Sequence, residues 1–152
     1  MKFNNLVFKA YDIRGVYPSQ IDESFAQALG QAFGLQVLKN GESAVSIGRD
    51  GRLSGPSLLN ALAKGLMQVG VDVIDIDLCT TPMLYFAAHT LTQSGIQITG
   101  SHNPKDYNGF KMVLGGQALY GQAITDLHVL MQDDHSVGIQ AGSYKAVDIY
   151  DA

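Results

Sequence analysis

The sequence is poor in cysteine, in charge and in long apolar runs, and each shortage excludes something. Cys79 is the single cysteine among 152 residues. No intrachain disulfide can form, and a reducing cytoplasm is the expected compartment. Charged residues make up only 16%, the formal net charge is −4, and there is no basic run. Nucleic acid is therefore not an expected partner. No apolar stretch approaches membrane-spanning length, Met1-Lys2-Phe3 opens no signal-like segment, and a membrane is not an expected partner either. Lys and Arg together number 10, so any anion this chain handles must be met by local positive charge. What is plentiful is apolar: 46% of the residues are hydrophobic, enough for one globular domain with a core.

Periodicity divides the chain into alternating strands and helices. Phe8 to Ile13 reads as a short edge strand, broken by Gly15 and Pro18. Phe25, Leu29, Phe33 and Val37 recur at four-residue spacing and predict a helix from Asp22 to Asn40, with Asp22 as its cap. Gly30 and Gly34 weaken that helix locally but permit close packing. A strand over residues 44–48, a helix from a Ser54 cap to about Val69, and a strand over 71–76 form a βαβ unit. Thr81 and Pro82 start a third helix, and Gly95 to Thr99 reads as a strand. Phe110 to Leu114 is the next strand and Gln122 to about Met131 the fourth helix. The expected architecture is a three-layer α/β/α sandwich on a mixed, mainly parallel four-stranded sheet. The strand near 109–114 runs antiparallel, because no crossover helix precedes it. Residues 1–135 form the domain, and residues 136–152 read as a connector.

Between the last two of these strands lies Thr99-Gly100-Ser101-His102-Asn103-Pro104-Lys105-Asp106-Tyr107-Asn108-Gly109-Phe110-Lys111. It is a polar loop hung from a strand end, the usual place for function in α/β sheets. It carries a hydroxyl, an imidazole, an amide and two amines. The serine is not set up as a hydrolase nucleophile: the Gly-x-Ser-x-Gly elbow is missing, and His102, as a chain neighbour, is a poor candidate for a dyad. Lys105 and Lys111 suit an anion better, so the loop fits a serine that carries a phosphoryl group. From composition alone, a chemically inert loop with Asn-Pro and Asn-Gly turns is the favoured reading.

The run Thr99 to Pro104, followed by Asn108-Gly109-Phe110-Lys111, closely resembles the phosphoserine loop of the α-D-phosphohexomutases. It is most similar to the bacterial phosphomannomutase/phosphoglucomutase branch, and Gly100 leans away from the glucosamine-phosphate mutases, which usually have alanine there. Tyr11-Asp12-Ile13-Arg14-Gly15 resembles the N-terminal signature of the same family. The resemblance covers essentially the whole chain but only the first of the family's four domains. It implies interconversion of hexose 1-phosphate and 6-phosphate, of mannose or glucose, through a bisphosphorylated sugar. Ser101 would be phosphoryl donor and acceptor and, through its phosphate, a ligand of Mg2+. Lys111 and His102 would join it as catalytic residues, the first neutralising charge or assisting proton transfer, the second shaping the loop. Arg14, Asn103 and Tyr11 would serve substrate and phosphate binding. A hexose 1,6-bisphosphate would act as activator and intermediate.

The family's Asp-x-Asp-x-Asp-Arg metal run lies in another domain and is absent from this sequence. Asp75 and Asp77 read instead as strand-end carboxylates facing solvent. Arg49 and Arg52 follow a strand end too, with a salt bridge to Asp50 as plausible as a phosphate contact. The expected partners are a phosphohexose and the remaining domains. The chain by itself is expected to fold without turning substrate over, and the rival reading is a non-catalytic α/β module presenting a phosphate-binding serine loop.

Overall fold

Alternation along the strands sends apolar side chains to both faces of one sheet, and helices cover each face. A computed structural model describes residue 3, residues 5–133, residue 135 and residues 141–148. Residues 136–140 and 149–152 of the expected connector lie outside the described residues. In chain order the elements are β1 (Ile13–Val16), α1 (Glu23–Lys39), β2 (Ala44–Arg49), α2 (Gly55–Gln68), β3 (Asp72–Leu78), α3 (Thr81–Ala87), β4 (Ser94–Ile98), β5 (Tyr107–Leu114), β6 (Gln117–Ala118), α4 (Gln122–Leu130) and β7 (Tyr144–Ala146).

The strand order is β1-β5-β4-β2-β3-β7, with β6 paired to β5. The four expected strands, β2 to β5, form the centre, and three short strands extend it. β2 pairs in parallel with β3 and β4, while β5 runs antiparallel to β4. Residues 144–146, expected in the connector, add β7 in parallel to β3. At the other end, the early strand starts later than expected. Only Phe8 bridges to Ile13, and β1 itself carries Arg14 and Gly15, paired with Gly109 and Asn108 of β5.

Val45, Ile47, Val73, Ile96, Ile98, Phe110 and Met112 face α1, α2 and α4 in the main core. Ile76, Cys79, Leu84 and Ala87 form a smaller core beneath α3 on the opposite face. α1 and α2 meet backbone to backbone: a methyl group on Gly30 would lie 2.4 Å from the Leu62 carbonyl oxygen, and one on Gly65 2.1 Å from that of Gln27. The glycines thus trade helix propensity for contact.

Caps follow the sequence with two corrections. Asp22 accepts from the Phe25 amide as expected. Thr80, not Thr81, caps α3 through its side chain. Ser54 stands at the cap of α2 but makes no capping bond, since its hydroxyl accepts from Asn108 Nδ2 at 2.7 Å. Beyond Ala87 the third helix continues as a π-turn over Ala88–Thr92, and His89 there is exposed. His128 is a core histidine stacked on Phe8 at 4.2 Å. Cys79 is buried and donates to Gln97 Oε1, and burial pushes its thiol up to about 11, away from the reactive thiolate.

Candidate active site

The loop between β4 and β5 is built around Ser101. Gly95 to Ile98 are buried in the sheet, Thr99 and Gly100 stay buried beyond it, and the chain reaches the surface at Ser101, which is exposed. Ser101 has φ +53°, in the left-handed region that a serine adopts at a cost of about 1–3 kcal/mol. The surrounding bonds hold it there. The Ser101 amide donates to Thr99 Oγ1 at 3.0 Å, and Thr99 Oγ1 donates to Asp50 Oδ2 at 2.8 Å. Asp50 Oδ2 also accepts from the Gly100 amide at 3.0 Å. Asn103 closes the turn through its amide nitrogen and its side-chain Nδ2, both donating to the Gly100 carbonyl. The Asn103 side-chain amide is thus engaged with the loop backbone.

Arg52 lies just past β2, in the same loop as Asp50. It keeps the expected ion pair with Asp50, at 3.5 Å, but its fork also enters the serine loop. Nη2 donates to the carbonyls of Ser101 (3.1 Å) and Asn103 (2.8 Å), and Nη1 to those of Tyr107 (3.0 Å) and Pro104. The guanidinium lies so close to Gly100 that a methyl group there would sit 1.9 Å from Cζ. Arg49 pairs with Asp77 Oδ1 at 3.1 Å and donates through Nη1 to the Asp50 carbonyl at 3.3 Å, without reaching the serine loop. Asp75 is buried rather than solvent-facing, accepting from the Asp77 amide and the Tyr144 hydroxyl.

The far end of the loop is tied to the residue after β1, where the Tyr17 amide donates to the Asp106 carbonyl at 2.9 Å. Beside it a cavity of about 210 Å³ is lined by Tyr17, Leu53, Ser54, Ser57, Lys105 and Asp106. Tyr17 donates to Glu23 Oε2 at 2.6 Å, which raises the tyrosine and lowers the carboxyl from their ordinary values.

Directly opposed residues of an antiparallel pair share a sheet face. Arg14 opposes Gly109, Lys111 opposes Gln97, and Gly109 and Lys111 are two residues apart. Arg14 and Lys111 therefore stand on one face, the α3 side, where the Gln97 side chain meets Cys79. Arg14 Nε bonds Asp12 Oδ1 at 3.0 Å, leaving its terminal nitrogens for other acceptors. Burial, and then the charge of Asp12, raises Tyr85 of α3 above its ordinary value. Lys111 is half-buried; His102 and Lys105 are exposed. Tyr11 is 77% exposed just ahead of β1, with no hydrogen bond to the loop among the described residues. Two other serines near this end are engaged, Ser54 holding Asn108 and Ser57 donating to Glu23, while Ser46, toward the opposite rim, is buried against Thr92.

Among the described residues no group of three or more His, Cys, Asp or Glu is placed to hold a metal ion. Asp50 is the carboxylate bonded to the loop backbone, and it is committed to Thr99, Gly100 and Arg52. These residues would fit a metal only as one oxygen ligand on a phosphorylated Ser101.

Fold and loop together define a three-layer α/β/α domain that presents a clamped, exposed serine beyond a strand's carboxyl end, with two cations on the neighbouring strands. The chain belongs to the phosphoglucomutase/phosphomannomutase family: the family model "Phosphoglucomutase/phosphomannomutase, alpha/beta/alpha domain I" matches residues 5–131. A phosphoglucomutase of Neisseria gonorrhoeae is 45% identical over 145 residues, covering 94% of this chain and 32% of that protein. A phosphomannomutase/phosphoglucomutase of Pseudomonas putida is 45% identical over 146 residues, covering 95% of this chain and 31% of that protein. A crystal structure of a phosphoglucomutase/phosphomannomutase family protein from Burkholderia thailandensis superposes with a TM-score of 0.91 at 46% identity, covering 98% of this chain and 34% of that one. The chain thus spans about a third of the length of the relatives it matches. No helix among the described residues is long and apolar enough to cross a membrane.

Proposed function

We propose that this chain is the phosphoserine-bearing domain of a hexose-phosphate mutase, cytoplasmic, acting on mannose or glucose phosphates. The observation that carries this reading is Ser101: exposed, held at φ +53° by bonds on both sides, in a loop flanked by the strands that bear Arg14 and Lys111. A serine that passes on a phosphoryl group needs a fixed position and neutralised oxygens more than an activated hydroxyl. In the transfer, the bond from Ser101 Oγ to phosphorus breaks and a bond from a sugar hydroxyl to phosphorus forms. The proton of the sugar hydroxyl ends on Ser101 Oγ, relayed with the assistance of Lys111, and the reverse step from the hexose 1,6-bisphosphate restores phosphoserine. Lys111 offsets the charge or assists the proton, Arg14 and Tyr11 meet phosphate and substrate, and His102 and Asn103 shape the loop. Mg2+, when bound, would neutralise phosphate oxygens, with its further ligands from outside this chain. The remaining domains of the full-length protein would supply those ligands and the second phosphate site.

The test is phosphopeptide mapping after the full-length protein is incubated with glucose 1,6-bisphosphate. Phosphate is expected on Ser101 alone. Phosphate on Ser54 or Ser57 with Ser101 unmodified overturns the assignment.

The rival reading, a non-catalytic module, is favoured at the level of the isolated chain by the one-third coverage of its relatives. The two readings agree on the loop and differ on turnover.

A further inference from the structure

The geometry points to Arg52 as the residue that positions Ser101 for transfer, acting wholly through the loop backbone. This rests on the reading of Ser101 as the phosphoryl carrier. A guanidinium has five N–H donors in a planar fork. Nη1 and Nη2 each reach two carbonyls, those of Pro104, Tyr107, Ser101 and Asn103, and Nε lies 3.5 Å from Asp50 Oδ2. Each of its three nitrogens is thereby committed, so Arg52 has no donor to spare for a phosphate. Its side chain is only 15% exposed, which strengthens these bonds against water.

The four carbonyls span the loop from Ser101 to the start of β5. Asp50 completes the grip from the other side, accepting from Thr99 Oγ1, the Gly100 amide and the Arg52 amide. One side chain and one carboxylate, both from the β2–α2 loop, thus fix the peptide on each side of Ser101. A serine forced to positive φ needs such support, because its relaxed backbone would aim the hydroxyl elsewhere. Gly100 belongs to the same device: the fork packs where any larger residue would put its Cβ, 1.9 Å from the guanidinium carbon. A lysine keeps the charge but is a single point of three donors and cannot bridge four separated carbonyls.

The test compares Arg52→Lys, Arg52→Ala and the control Arg49→Ala, whose arginine pairs with Asp77 instead. In each, hydrogen exchange of the Ser101, Asn103 and Tyr107 amides is followed on this chain. Phosphate uptake by Ser101 from glucose 1,6-bisphosphate and steady-state turnover are followed on the full-length protein. Both Arg52 variants should exchange these amides at least about tenfold faster while α1 and α2 stay protected. Because a shift of about 1 Å can cost about 10²-fold in rate, kcat should fall by about that factor. KM for the sugar phosphate should stay within about threefold, as no substrate contact is removed. Added guanidinium should restore part of the rate to Arg52→Ala, and Arg49→Ala should match the parent.

Unchanged exchange in Arg52→Lys, or fast exchange with unchanged kcat, overturns the inference. So does a rise in KM with kcat preserved, which would make Arg52 a substrate ligand. If Arg52→Ala melts without cooperativity, Arg52→Lys alone decides. If the parent takes no phosphate on Ser101, the phosphoserine reading falls, and the exchange comparison alone then judges the clamp.

Discussion

Lys111 shows how the sheet prepares a cation. It stands half-buried on β5, opposite Gln97, and shares its face with Arg14. A phosphoserine carries a charge of about −1.5 to −2 at neutral pH, and a partly desolvated ammonium on a rigid strand offsets it better than a freely solvated one. In the full-length protein, Lys111→Met should lower kcat by at least about 10²-fold, the scale of losing one electrostatic stabiliser of a transition state. The melting temperature should barely move, since no hydrogen bond of the fold is lost. A variant with parental turnover removes Lys111 from the site. Lys105, exposed on the loop, should matter less.

At the scale of elements, the α1–α2 contact sets the thickness of one layer. Gly65→Ala gains about 1 kcal/mol of helix propensity. It also drives a methyl group to 2.1 Å from the Gln27 carbonyl oxygen, and backbone cannot step aside as a side chain can. Overpacking costs about 1–3 kcal/mol and should win. The net cost, up to about 2 kcal/mol, should lower Tm by up to about 8 °C in a thermal melt; an unchanged or higher Tm would show that the helices slide apart at little cost. These elements were largely legible in the sequence, because period and caps are local. The apolar spacing of Phe25, Leu29, Phe33 and Val37 placed α1 to within a residue, and the lack of a crossover before Phe110 gave the antiparallel turn. What sequence could not give was long-range. Ser54 looked like a cap but serves Asn108, 54 positions away. Arg52 and Asp50 looked like a local ion pair, and the carbonyls that define Arg52's role lie 49 to 55 positions on. Backbone acceptors leave no mark on side-chain pattern, so the clamp had no signature except a charged pair just past a strand. β7 was missed because three residues pairing at an edge are too few for a period.

At the scale of the whole molecule, the apolar cores on both faces of the sheet support independent folding, with a main core that draws on three helices and five strands. The chain should melt in one cooperative transition and yet show no turnover in a coupled assay with glucose 1-phosphate, Mg2+ and glucose 1,6-bisphosphate. Holding both reactants in place accounts for roughly 7–11 kcal/mol of such a barrier, and the described residues hold one. Sustained turnover by this chain, or a melt without a cooperative step, would contradict that expectation. The direction of β7 then acquires a meaning for the polypeptide's route. β7 runs parallel to β3, β3 to β2, and β2 to β4, so the backbone emerges from β7 at the same rim of the sheet as Ser101. It emerges three strand positions from β4, a lateral distance of about 14 Å at the usual inter-strand spacing. About four or five extended residues cover that distance. Chain that continues from β7 therefore begins its path at the rim that presents Ser101, and a short tether suffices to bring it over the serine.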